Sequence, residues 1–142
     1  MNQSLQNSLY EKYPKLFENR HKTKQESCMY WGISTGDGWY DIINTLCSRI
    51  VNHEKYVMNP KWPRYNPNYI PVIFDQIKEK FGGLTIYHSG GDEYVDGLVA
   101  IAQDISYYTC EVCGDKGYQN KDGWISTLCE KHRQERAKEE IQ

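Results

Sequence analysis

Two short ligand pairs, Cys110-Glu-Val-Cys113 and Cys129-Glu-Lys-His132, constrain this chain more than any other feature; fifteen residues separate them. Two ligands spaced by two residues wrap a tight turn around one metal ion, and two such pairs supply the four donors of a closed tetrahedral site. Gly114 follows the second thiolate, where the chain must reverse and a residue without a β-carbon turns with least strain. Three thiolates and one imidazole select zinc. Four protein donors leave no position for a reactive water, so the spacing predicts a structural zinc site rather than a catalytic one. It accounts for three of five cysteines, and an odd total fits a reducing compartment better than a disulfide framework.

The two pairs have different surroundings. After Gly114, the stretches Asp115–Tyr118 and Asn120–Trp124 read as turns flanking short strands, whereas Cys129 and His132 open a charged, helix-favouring run reaching Glu140. A turn-borne pair, a hairpin and a helix-borne pair resemble a treble-clef zinc finger. Lys116, Lys131 and Arg133 are placed to offset the negative charge of the metal centre. A nuclease of the His-Asn-His type resembles this frame too, but needs a catalytic His on the hairpin. Gly114 to Leu128 contains none, which argues against nuclease chemistry there.

At 142 residues the chain has the length of one ordinary domain. The expected fold class is α+β: a small single domain with a few helices and short strands, plus the C-terminal finger. Residues 1–109 form the body, with a basic N-terminal arm, and residues 110–142 form the finger and terminal helix, packed with the body as one unit. In the body, Leu5, Leu9, Tyr13 and Leu16 or Phe17 predict a short helix bent or ended near Pro14. Cys28–Ile33 reads as a short strand or extended entry. Asp37 is placed to cap an amphipathic helix whose face carries Trp39, Ile42, Ile43, Leu46, Cys47, Ile50 and Val51. Four of the five prolines fall between Asn59 and Pro71, predicting an irregular connector. Val72, Ile73, Phe74, Ile77 and Phe81 predict a short helix, or a helix running into a strand, broken at Gly82-Gly83. Leu84–Tyr87 reads as a strand, and Asp92 as the cap of a helix running through Ile105 to the first cysteine pair.

The net charge of −2 gives no broad cationic character for binding nucleic acid. Residues 1–25 are the one basic block, with five Lys or Arg against two Glu, few enough to read as a solvated surface. No apolar stretch approaches the ~20 residues that span a bilayer. The opening MNQSLQNSLYEKYPKLF has no signal-peptide pattern, so an intracellular protein with no membrane partner is expected.

Twelve Tyr and four Trp are many for this length. Trp31, Trp39, Trp62, Tyr65 and Tyr69 interleave with Arg64, and prolines around Trp62, Arg64 and Tyr65 stiffen the segment before it meets a partner. Some of these rings must be core; Trp62, Arg64 and Tyr65 are the candidate partner surface. A second candidate surface is the finger helix, through Lys131, Arg133 and Arg136, which suits nucleic acid. Cys47 lies on the apolar helix face and reads as a buried small hydrophobe. Cys28 could pair with His21, His53 or His88 as a nucleophile, but no spacing selects one. Gly82-Gly83 and Gly90-Gly91 bracket a strand and fit no phosphate-binding fingerprint. A hydrolase or nucleotide-binding sponge built around His88 and Asp92 is the weakest reading, since neither belongs to a recognisable catalytic set.

The stretch from Gln76 to His132 carries Ile77-Lys-Glu-Lys-Phe-Gly-Gly-Leu-Thr-Ile-Tyr87, Ser106, Cys110–Gly114, Trp124 and Cys129–His132. It resembles small uncharacterised proteins of bacteriophages and prophages, over about two-fifths of the chain. The resemblance carries no catalytic residues. It implies an accessory protein acting in the cytoplasm of a bacterial host, where phage proteins of this size often occlude host enzymes or defence components. The leading expectation is therefore a non-enzymatic binding protein that inhibits a host protein, with a nucleic-acid-binding zinc finger as the alternative.

Overall fold

The computed structural model describes residues 1–141. Helix α1 (Gln3–Lys12) starts at Asn2, whose side chain accepts from the Leu5 N–H, and ends before Pro14, where a helical hydrogen bond is lost. Two single turns of 3-10 helix follow, Glu18–His21 and Cys28–Trp31. The second replaces the strand expected at Cys28–Ile33, leaving only the two-residue strand β1 (Ile33–Ser34). A further 3-10 turn at Asp37–Trp39 leads into helix α2 (Tyr40–Val57). Asp37 does not cap it. Its carboxylate instead accepts from the backbone and side-chain nitrogens of Asn2, at 2.7 and 2.9 Å, tying the start of α1 to the entry of α2.

From Asn59 to Val72 the chain makes turns without regular structure, as its prolines require. The segment expected to begin as a helix is wholly strand β2 (Ile73–Lys80), joined through Phe81-Gly82 to strand β3 (Gly83–Ser89). The sheet order is β1-β2-β3. Ile33 pairs with Ile77 in the parallel step, and Ile77 with Ile86 in the antiparallel one. Helix α3 (Glu93–Ser106) returns, capped by Asp92 through the Val95 N–H. It runs antiparallel to α2: Trp39 Nε1 donates to the Thr109 carbonyl at one end, and His53 meets Asp92 at the other.

The core lies between these two helices and the sheet. Trp39, Ile43, Leu46, Cys47 and Ile50 come from the α2 segment, Phe74, Ile77, Leu84 and Ile86 from the sheet, and Val95, Val99 and Ala102 from α3. Phe17 closes one end against Phe74, ring centroids 5.1 Å apart. The finger follows without a linker. It comprises the cysteine turn, the ribbon β4 (Tyr118–Gln119) and β5 (Thr127–Leu128), and helix α4 (Glu130–Ile141). Among the described residues the result is a small α+β domain of four helices and a few short strands with a C-terminal Cys/His cluster.

Candidate metal centre

The first ligand turn is fixed by backbone bonds before any ion is considered. The Cys110 N–H donates to the Asp115 carbonyl at 2.7 Å and the Gly114 N–H to the Cys110 carbonyl at 2.9 Å, folding Cys110–Asp115 into a knuckle. Gly114 has φ +83°, the left-handed conformation the reversal demands. The ribbon delivers the second pair. Leu128 is buried in β5, Cys129 follows it, and α4 begins one residue later, so His132 lies one turn along the helix on the face of Cys129.

These elements bring Cys110, Cys113, Cys129 and His132 together, with one donor atom from each and all donors within 4.8 Å of one another. No other group of three or more potential ligands forms such a cluster among the described residues. The spacings suit a tetrahedral ion. Metal–sulfur bonds of about 2.3 Å set two sulfurs about 3.8 Å apart, and Sγ of Cys113 and Cys129 are 3.8 Å apart. Nδ1 of His132 lies 3.6 Å from Cys110 Sγ and 3.2 Å from Cys129 Sγ, so Nδ1 is the donor nitrogen. Its Nε2 faces a Glu135 carboxylate oxygen at 3.7 Å, beyond hydrogen-bond distance.

Two thiols of the cluster shift in opposite directions. Burial raises the Cys110 thiol, but the N–H groups of Cys129, Cys113 and Val112 outweigh it and bring the thiol down to about 7. Cys113 goes the other way, up to about 11. The Asp115 N–H favours its thiolate, yet desolvation and the neighbouring sulfurs of Cys110 and Cys129 prevail. One thiolate is thus favoured, while a second negative charge on the adjacent sulfurs is disfavoured, and a bound cation would offset it.

Other candidate residues are dispersed. Trp62 and Tyr65 are exposed on the connector, 43% and 39%. Trp62 packs edge-on against Tyr56 at 4.8 Å, and the Arg64 guanidinium lies 5.0 Å from the Tyr56 ring. The remaining aromatics do not join them: Trp39 is core, Trp31 is exposed beside Tyr30, and Tyr69 donates to Glu54 at 2.7 Å. On the finger helix Lys131 is exposed and Arg136 half-buried. Arg133 is committed internally. Its Nη2 donates to the Tyr118 and Leu128 carbonyls, and its guanidinium stacks 4.1 Å over the Tyr118 ring, clamping α4 to the ribbon.

His88 and Asp92 do not pair. His88 Nε2 faces Asp96 at 3.4 Å, whereas Asp92 meets His53 Nε2 at 2.8 Å. Cys47 is fully buried and Cys28 is an exposed free thiol. The His53–Asp92 pair was not anticipated. Ile50, His53 and Val57 continue the apolar stripe of α2, so burial of His53 was legible, but no local signal names its partner.

Comparison with protein-family models, with curated proteins and with solved structures finds no match in any of the three. Fold and site define a small α+β protein with a C-terminal Cys3His cluster able to hold a metal ion. No helix among the described residues is long and apolar enough to cross a membrane.

Proposed function

We propose that the protein is a non-enzymatic, zinc-stabilised binding protein that occludes a host protein, possessing one structural zinc on Cys110, Cys113, Cys129 and His132 and acting in the cytoplasm of a bacterial cell. Zinc is favoured because three sulfurs and one imidazole suit a borderline-soft dication in tetrahedral geometry. When bound it contributes folding energy rather than reactivity. The phage-like wording of Gln76–His132 supplies the cellular setting.

The observation that carries the binding role is the exposure of Trp62 and Tyr65 on a segment held in place from below. The Trp62 N–H donates to the Asn59 carbonyl, the Tyr65 N–H to Trp62, and the Asn66 N–H to Val57 at 2.8 Å, while Tyr56 supports both Trp62 and Arg64. A partner therefore meets side chains whose ordering cost is already met in part. Nucleic-acid binding by the finger helix is less favoured, because Arg133 is engaged within the finger.

Two variants test this reading. Cys113→Ser is expected to reduce zinc from about one per chain to well below it, measured by elemental analysis without added metal; full occupancy would contradict the site. Trp62→Ala with Arg64→Ala is expected to abolish capture of a host protein from nuclease-treated lysate, at a cost of more than ~2 kcal/mol in binding. Zinc content and thermal midpoint should stay near wild type. Undiminished capture would place the interface elsewhere, and loss of capture on nuclease treatment would favour the nucleic-acid reading.

A further inference from the structure

The outer face of the α2–α3 pair carries an apolar groove of about 360 Å³. Ile42 of α2 and Leu98, Ile101 and Ile105 of α3 line it, with Ile101 60% and Ile105 47% exposed. Side chains of this kind, contiguous across two helices, are costly to leave in water and mark an interaction surface. The charges on its rim indicate what covers it. Asp41 and Arg49 both line the groove, eight residues apart on α2 with Thr45 midway. At 1.5 Å per residue they stand about 12 Å apart, on either side of a small polar residue. A helix with an acid at one end of its contact stripe and a base at the other is complementary to itself reversed.

From this we infer that a second copy of this chain covers the groove, forming a two-fold dimer whose α2 helices pack antiparallel. The axis crosses both helices at the level of Thr45 and Ile101. It sets Asp41 of each protomer against Arg49 of the other, and Ile101 and Ile105 of one copy into the apolar groove of its mate. Because α2 and α3 are themselves antiparallel, the interface is a four-helix layer closed by one symmetry operation. The alternative two-fold, parallel to the helices, would lay Asp41 beside the Asp104–Ile105 end of the partner's α3, acid near acid, and is disfavoured. This surface is separate from the Trp62 connector and does not depend on it.

Sedimentation equilibrium tests the inference on the full chain. The wild type is expected at about twice 16.7 kDa. Asp41→Arg and Arg49→Asp each place like charges opposite one another twice per dimer, and each is expected to weaken association by at least about tenfold. An equimolar mixture of the two variants restores both opposite-charge pairs and should regain dimer mass. Both positions are exposed, and recovery on mixing also establishes that the variants fold. Ile101→Glu should weaken association without rescue by either charge variant. A wild-type monomer throughout the micromolar range would overturn the inference, as would charge variants that dimerise normally or fail to recover when mixed.

Discussion

One oxygen of Asp92 accepts from the Val95 N–H at 3.1 Å while the other meets His53 Nε2 at 2.8 Å, so a single carboxylate starts α3 and ties it to α2. The His53 ring also stacks on Tyr94, centroids 4.3 Å apart. Partial burial pushes the Asp92 carboxyl up, but the bonds from His53 and Val95 and the attraction of His53 outweigh it and hold it below its usual value. A carboxyl depressed on folding contributes stability that is fully present above its unfolded value, about 3.9, and lost as pH falls through the folded one. Asp92→Asn keeps an oxygen for the cap and removes the charge. It is expected to cost about 1–2 kcal/mol near neutral pH, the side chain being partly solvated. The gap to wild type should hold down to the unfolded value and close as pH falls from there through the lower folded one. Urea titrations of both proteins across that range check this; a gap of constant size would show that charge plays no part.

The elements meet at a seam whose close approach depends on two glycines, Gly36 and Gly38. The Gly38 N–H donates to the Glu111 carbonyl at 2.8 Å, and the Gly36 N–H to the Glu111 carboxylate at 2.8 Å, so the loop before α2 lies flat against the cysteine knuckle. A β-carbon on Gly38 would stand 2.1 Å from the Cys110 carbonyl oxygen and 2.6 Å from the Gly114 nitrogen, both rigid backbone. Gly38→Ala is therefore expected to lower stability by about 1–3 kcal/mol and to weaken metal retention, read by urea midpoint and chelator competition. The exposed mid-helix Gly97 provides the contrast. A β-carbon there meets nothing within 4 Å, and Gly97→Ala should raise stability by about 0.5–1 kcal/mol. The same scale explains what the sequence conceals. The ligand pairs, the Asp92 cap, the connector and the α2 stripe were legible because each is a local pattern. Strand β2 was misread because its register shifts between Phe74 and Gln76. The extra residue, Asp75, is anchored by Ser89 Oγ at 2.6 Å, and it leaves the buried Phe74 and Ile77 three apart, the spacing of a helix. Asp37 has the composition of a cap, but a partner 35 residues away claims its carboxylate, and such competition has no local signature.

Across the whole molecule, the finger has too small a core of its own to stand apart: its buried apolar cluster is Cys110, Leu128 and Cys129. It is tied to the body at two places. Trp39 Nε1 reaches the Thr109 carbonyl at 2.9 Å beside the Gly38–Glu111 seam, and on the other side Thr127 Oγ1 donates to the Gly82 carbonyl at 2.6 Å and Gln119 Nε2 to the Phe81 carbonyl at 3.0 Å. A metal held by the four ligands would lock the preformed knuckle to the start of α4, so it should hold the partners of both seams in place and feed its free energy into the body. Removing the metal with a strong chelator is accordingly expected to lower the thermal midpoint of the entire protein by at least about 5 °C. Far-ultraviolet dichroism, to which α2 and α3 contribute most, and the fluorescence of buried Trp39, isolated by replacing the exposed Trp31, Trp62 and Trp124 with Phe, should report that shift together, in one transition. A body that melts at its original midpoint after metal loss, with only the finger signal gone, would show that the two seams carry no coupling and that a bound metal stabilises the finger alone.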